Sequence, residues 1–286
     1  MILSAIRKKL IEGLKTAKIE NSTQEADLIL IRLLNCTRAD ILGHPEREVT
    51  ESRRNAVFEV LHRRAAGEPL QYILKEAFFW GRPFAVGKGV LIPRPETELL
   101  TEMALKYMLS SSPSPRFFLD WGTGSGCIAI TLLLEYPFAK ALMAEKNPLS
   151  LQICWNNLIR YELVNRALLW HSFLPADIPH GDGKLDFIVS NPPYIPRKEI
   201  ANLMREVRDH EPHMALDGGE DGMIFYRMLF DHAASFLKAG GMLFLEIGDA
   251  LQAETLQQTR PPRFRLAEEI KDYAGIPRCM AWEYCR

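Results

Sequence analysis

Apolar residues recur at helical spacing through residues 1 to 75. Ile2, Ile6, Leu10 and Leu14 fall on one helical face. Ala26, Leu30, Leu33 and Leu34 form a second stripe behind Ser22 and Glu25, which have capping-box spacing. A short helix is expected over Arg38 to Leu42, closed by Gly43. A longer one follows Thr50 as its cap, with Val57, Val60 and Leu61 as its stripe and Gly67 and Pro69 as its stop. This part of the chain reads as a small helical bundle.

The pattern changes at Glu76. Aromatic and glycine-rich residues from Glu76 to Val90 predict a hairpin joining two domains, and Pro95 suits the first turn of a helix whose positive end attracts Glu96 and Glu98. After a Ser- and Pro-rich linker over Ser110 to Pro115, short apolar runs alternate with amphipathic stretches. Strands are expected at Phe117 to Asp120, Ala141 to Ala144, Ala167 to Trp170, Leu185 to Val189 and Met242 to Ile247, with closing strands at Phe264 to Ile270 and Arg278 to Tyr284. Helices are expected at Ile128 to Leu134, Pro148 to Tyr161, Met223 to Leu237 (with Gly240-Gly241 ending it) and Ala250 to Thr259; a helix or loop follows Trp170, and a long polar loop runs from Ile195 to Gly222. Alternation of this kind predicts an α/β fold, a doubly wound, mostly parallel seven-stranded sheet. The expected domains are residues 1–75, helical; 76–90, a hairpin linker; and 91–286, the α/β domain.

Two stretches carry chemistry. Trp121-Gly122-Thr123-Gly124-Ser125-Gly126 joins a strand to a helix, where glycines let the backbone approach a ligand and free N–H groups point at it. About 20 residues on, Glu145 ends the next strand, where a carboxylate can accept from both hydroxyls of a ribose. A dinucleotide fingerprint would need glycine where Cys127 stands, and no Gly-Lys-Ser or Gly-Lys-Thr follows to make a P-loop. The Gly-x-Gly-x-Gly form suits S-adenosyl-L-methionine, whose methionine end needs no pyrophosphate cradle.

The second stretch is Asn191-Pro192-Pro193-Tyr194. Its prolines forbid further ladder pairing, so Asn191 should stand at the carboxyl end of a buried strand, the edge at which open α/β sheets bind ligands. The Asn191 side-chain oxygen and the Pro192 carbonyl can accept from a planar NH2 group, and Tyr194 offers a ring face. Such a grip would favour the attacking form of an otherwise unreactive amide or adenine nitrogen. The plainer reading is a turn that ends a strand.

Composition changes this picture little. The 286 residues are 47% hydrophobic and 25% charged, with a formal net charge of -1, which describes an ordinary globular protein without the basic balance of a non-specific nucleic-acid binder. Five scattered cysteines without a Cys-x-x-Cys pair argue for reduced thiols and no metal site. Neither a signal peptide nor a membrane span is apparent, and a cytoplasmic protein is expected.

The glycine loop, Glu145 and Asn191 to Tyr194 together resemble the class I S-adenosylmethionine-dependent methyltransferases that modify amino nitrogens. With Leu91 to Glu98, Ser190 to Ile195, Glu211-Pro212, Ala215 to Gly222, Asp272, Gly275 and Arg278, the chain resembles the peptide-chain release factor N5-glutamine methyltransferases over nearly its whole length. The resemblance implies a Rossmann-like methyltransferase domain behind a helical substrate-recognition domain. It places Gly122, Thr123, Gly124, Ser125 and Gly126 around the methionine part of the cofactor, Glu145 on the ribose, and Asn191, Pro192, Pro193 and Tyr194 on the substrate amide. It implies the glutamine of the release-factor Gly-Gly-Gln motif as substrate and S-adenosyl-L-homocysteine as product. The chain departs from the family at Glu145, where aspartate is usual. It departs again at His171, Ser172 and Phe173, where the family has an acid, an aromatic or apolar residue and Phe; Ser172 is carried over as an adenine contact.

Two other readings stand beside this one. A DNA adenine-N6 methyltransferase also uses an Asn-Pro-Pro-Tyr corner, but it needs a basic cleft and a target-reading domain that the composition does not suggest, so no direct DNA binding is expected. A non-catalytic release-factor-binding protein would not need the cofactor loop and the amide corner in one chain. No base is required in the first reading: the methylated amide is acidic enough to lose its proton to water, and positioning supplies the rate.

Overall fold

The computed structural model describes residues 1–110, 116–172 and 185–285. The expected linker over Ser110 to Pro115 therefore lies outside the described residues except for Ser110, as do Phe173 and most of the segment after Trp170. Two compact units are present: Met1–Glu76 with Met204–His210, and Ala77–Leu203 with Glu211–Arg286.

In the first unit, helices α1 (Leu3–Thr16), α2 (Ser22–Leu34), α3 (Arg38–Gly43), α4 (Glu51–Ala65) and α5 (Leu70–Leu74) enclose one apolar core. Leu3, Ile6, Leu10 and Leu14 are its α1 contribution; Ile2, expected in that stripe, is instead the residue before the helix and 41% exposed. The expected capping box at Ser22 does not form, because Ser22 already lies inside α2 and donates to Ile19 O. Thr50 likewise precedes α4 without a side-chain cap. The box forms at α3, where Thr37 accepts from Asp40 N at 3.1 Å and Asp40 accepts from Thr37 N at 2.8 Å. A buried guanidinium holds the unit's edge: Arg64 pairs with Glu25 at 2.8 Å and with Glu206 at 2.7 Å. Glu206 belongs to a short helix, Arg205–His210, so the segment expected as one long polar loop is divided. It contains 3-10 turns at Arg197–Asn202 and His213–Ala215, and its middle is part of the first unit.

In the second unit, a two-stranded ribbon of β1 (Glu76–Phe79) and β2 (Arg82–Ala85) precedes α6 (Pro95–Leu109). The sheet contains β3 (Arg116–Trp121), β4 (Ala139–Glu145), β5 (Ala167–His171), β6 (Leu185–Ser190), β7 (Leu237–Glu246), β8 (Phe264–Lys271) and β9 (Pro277–Tyr284), in the order β5-β4-β3-β6-β7-β9-β8. Pairing is parallel from β5 to β7, and β9 runs antiparallel to both β7 and β8. Chain order reverses between β3 and β6, the switch point at which such sheets open a ligand crevice.

Alternation along the strands divides the apolar residues between two cores. Phe118, Phe187 and Phe244 pack with residues of α6, α7 (Cys127–Glu135) and α8 (Pro148–Arg160); Leu119, Ile188 and Leu243 pack with residues of α10 (Ile224–Phe236) and α11 (Ala250–Thr259), where the helix Arg205–His210 is α9. Phe118 stacks on Phe187 with ring centroids 4.7 Å apart, so the switch-point strands are locked in register. One boundary differs from expectation: α10 ends at Phe236, and β7 begins at once and runs through Gly240-Gly241 instead of after it. Gly241 sits against Lys238 O and Asp186 O, contact that leaves no room for a side chain.

Candidate active site

Three parallel strands carry an acid at or next to their carboxyl end: Asp120 on β3, Glu145 on β4 and Glu246 on β7. Between β3 and α7 the loop turns through Gly122, Gly124 and Gly126, all at positive φ, of 81°, 56° and 83°. That alternation is what the Gly-x-Gly-x-Gly spacing serves, since a side chain in that region is strained. The loop is pinned by Gly122 and Thr123 N–H groups donating to Ala144 O, and by Asn157 Nδ2 donating to Ser125 O at 2.8 Å. A Cβ at Gly126 would meet Cys154 Sγ at 2.8 Å, whereas one at Gly124 would meet nothing within 4 Å. Gly126 therefore serves packing, and Gly124 faces open space.

That space is a cavity of about 350 Å³, lined by Gly122 to Ser125, Glu145, Asn147, Asn191, Pro193 and, before them in the chain, Gly89 to Leu91, Pro93, Arg94 and Thr97, with Arg197, Met214, Ala215 and Asp217 on a further wall. Glu145 accepts from Gly124 N at 3.0 Å and Asn147 N at 2.8 Å, so both its oxygens are oriented by backbone. Burial raises its pKa, and those bonds counteract the rise. The fit to a nucleoside rests on this donor set: an oriented carboxylate for vicinal hydroxyls beside a turned backbone with no side chain in the way. Cys127, also at the cavity, has its thiol pushed up to about 12 by burial and is inert as a nucleophile.

Asn191 follows β6 directly. Its Nδ2 donates to Thr97 Oγ1 on α6 at 3.1 Å. Pro192 is buried, and Tyr194 is not among the residues that line the cavity. The Tyr194 hydroxyl instead donates to Glu246 Oε1 at 3.3 Å, its ring lies beside Gly248, and its carbonyl accepts from Gln252 Nε2 at 2.7 Å. Gln252 also accepts from Gly248 N at 2.9 Å, which ties the corner to the end of β7. Tyr194 supports the corner from behind. Gly126 and Ser172 are likewise absent from the cavity wall, and Ser172 follows the exposed His171, whose ring donates from Nε2 to Lys146 O at 2.9 Å. Phe173 of that motif lies outside the described residues.

Several residues that support the site from behind have roles that the sequence did not reveal. Asp120 is fully buried, accepts from the Thr123 hydroxyl at 2.6 Å, and is raised to about 7 by burial. Glu246 is 1% exposed and also raised to about 7 by burial, against the Thr97 and Tyr194 hydroxyls that face it. Glu211 accepts from Ile92 N at 3.0 Å and pairs with Arg94, joining two walls of the cavity. Glu98, expected as a helix-dipole partner, accepts from Trp80 N at 2.6 Å. An acid closing an apolar strand was the available signal for Asp120 and Glu246.

Residues 5–74 match the PrmC N-terminal domain family, and residues 99–220 match the methyltransferase small domain family. The release factor glutamine methyltransferase of Bradyrhizobium diazoefficiens is 36% identical over 98% of this chain and 94% of its own length, and that of Koribacter versatilis is 39% identical over 94% and 93%. The chain belongs to the release factor glutamine methyltransferase family. Methyltransferases share the fold at far lower identity: one from Pyrococcus furiosus superposes with a TM-score of 0.52 at 16% identity, covering 83% of this chain and all of that one. Like the rest of the family, the chain is an S-adenosylmethionine-dependent methyltransferase by descent. Among the described residues, no helix is long and apolar enough to cross a membrane.

Proposed function

We propose that the chain methylates the side-chain nitrogen of the glutamine in the Gly-Gly-Gln motif of peptide-chain release factors. The observation that carries this reading is the convergence of the glycine loop, Glu145 and Asn191 on one cavity at the switch point. The family membership supplies the substrate class. Bound S-adenosyl-L-methionine supplies an electrophilic methyl on a sulfonium, which leaves as a neutral thioether. Gly122 to Ser125 and Glu145 hold that molecule by backbone and carboxylate. Asn191 Oδ1 and the Pro192 carbonyl accept the two amide hydrogens, which keeps the nitrogen lone pair out of conjugation and aims it at the methyl. Pro193 closes the cavity wall beside them, and Tyr194 holds the corner rigid. After transfer the methylated nitrogen loses one of its own two protons to water, so the residues act by position.

The helical unit is assigned to docking the release factor, since three residues of loop are too little for a standard-sized specific interface. The test is transfer of radiolabelled methyl from S-adenosylmethionine, with intact release factor, a Gly-Gly-Ala version of it, and duplex DNA as separate acceptors. Label on intact release factor alone is expected. Label on DNA would favour the adenine reading, and label on none would leave only a binding protein.

A further inference from the structure

Asn191 can grip an amide only if its own amide is turned the right way. Oδ1 must face the cavity, because a substrate nitrogen offers hydrogens and Nδ2 would repel them. The two ends of an asparagine amide are nearly equal in shape, so packing alone does not choose between them. Something must hold Nδ2 on the protein side, and Thr97 Oγ1 is 3.1 Å from it. A hydroxyl, however, is both donor and acceptor, and alone it would accept either orientation.

Glu246 removes that freedom. Its side chain is buried, Tyr194 donates to Oε1, and Oε2 has no hydrogen-bond partner among the described residues. An ionised carboxylate only accepts, and a buried oxygen of this kind is costly without a donor. Helix α6 packs against β7, and the Thr97 hydroxyl lies close enough to the carboxyl to lower its pKa, with a proton free to turn toward it. Once Thr97 donates to Glu246, only its lone pairs remain for Asn191, which must then present N–H and leave Oδ1 to the substrate.

We propose that Glu246 and Thr97 are positioning residues that fix the donor–acceptor polarity of Asn191, so that the corner accepts an NH2 group. The proposal rests on the reading of Asn191 as the residue that grips the substrate amide. It also gives the site a proton dependence. Glu246 is held near neutrality by burial, with Glu96 raising its pKa and Thr97, Tyr194 and Arg278 lowering it; Cys279 is its ladder partner on β9, and Tyr226 donates to its carbonyl. Protonation lets the carboxyl donate to Thr97, and the polarity of the relay is lost.

Thr97→Val, Thr97→Ser and Glu246→Gln should be compared with the wild type and Asn191→Ala on a Gly-Gly-Gln substrate, with kcat measured across pH and with KM, cofactor affinity and melting temperature alongside. Thr97→Val and Glu246→Gln are expected to lower kcat by roughly 10- to 100-fold, the scale of misorienting a reacting group, while cofactor affinity stays unchanged. Thr97→Ser, which keeps the hydroxyl, restores turnover. Wild-type kcat should fall as pH drops below about 7, and this limb should be absent in Glu246→Gln, whose side chain cannot titrate. A Thr97→Val enzyme with wild-type kcat, or an acid limb that survives in Glu246→Gln, overturns the relay. A wild-type chain that transfers no methyl, or an Asn191→Ala variant with normal turnover, overturns the amide reading beneath it.

Discussion

At the scale of single residues, three carboxyl-bearing positions do different work at one sheet edge. Glu145 is oriented by two backbone N–H groups and open to the cavity, so Glu145→Ala should weaken S-adenosylmethionine binding by about 1.5 to 3 kcal/mol, the range for hydrogen bonds to a charged group. Titration calorimetry reads this directly, and unchanged affinity would place the ribose elsewhere. Asn191→Ala removes the group proposed to grip the reacting nitrogen and should lower the methylation rate by roughly 100-fold or more with melting temperature retained. Asp120 and Glu246 carry a further consequence, because burial raises both to about 7. Between the ordinary carboxylate range and that value the folded chain holds protons that the unfolded chain has lost. The stability they contribute is complete below that range and is lost as pH rises through about 7. The acids with lowered pKa, such as Asp217 and Asp272, act in the opposite sense but only below the ordinary range, so they do not mask the effect. Urea midpoints should therefore fall from pH 5 to pH 8, and Asp120→Asn should make that fall shallower; a midpoint that rises over this interval would contradict the buried, protonated state.

At the scale of elements, the glycine loop separates packing from binding within five residues. Gly126→Ala would place a methyl on Cys154 and Ile130 at positive φ and should destabilise the fold by about 1 to 3 kcal/mol. Gly124→Ala carries the left-handed strain of about 1 to 2 kcal/mol but meets no neighbouring atom, so its stability cost is the smaller of the two and its distinguishing loss is in cofactor affinity. Thermal melts and calorimetry on the pair separate the two roles, and equal behaviour would refute the division. This loop was readable from sequence because its requirement is local: an alternating glycine between a strand and a helix. The strands were readable for the same reason, each being a short apolar run. What failed to show were features decided across the chain. Thr37 caps a helix where Ser22 does not, because only the docked backbone sets which residue precedes the first turn. The start of β7 at Leu237 follows from parallel pairing with Leu185, which no local pattern encodes. Thr97 and Glu246 are 149 residues apart in number and meet only once α6 lies across the sheet edge; their types alone suggested a helix start and a strand residue. Ser172 came from the family pattern and not from the chain's own chemistry, and the cavity wall does not include it.

At the scale of the whole molecule, every described residue that lines the cavity belongs to the second unit, while the first unit has a core of its own. The site proposed for the cofactor and the amide is therefore lined, among the described residues, without any from α1 to α5. A bundle of helices that the chemistry does not use is free to read a surface of the substrate away from its glutamine. A chain lacking residues 1–75 should bind S-adenosylmethionine as the full chain does and methylate a short Gly-Gly-Gln peptide at a similar rate, yet show a raised KM for intact release factor. The deletion has one structural cost that must be controlled. Glu206 loses Arg64, so the segment Met204–His210 is left without its unit. Glu206→Ala in the full chain isolates that loss, since it removes the segment's ion pair while leaving Arg64 with Glu25 inside the bundle. If the peptide rate falls in Glu206→Ala as much as in the deletion, the loss traces to that segment and not to the missing helices. If KM for intact release factor rises only in the deletion, the helical surface itself recognises the substrate; a truncated enzyme that methylates whole release factor as well as the full chain would reduce the bundle to an appendage.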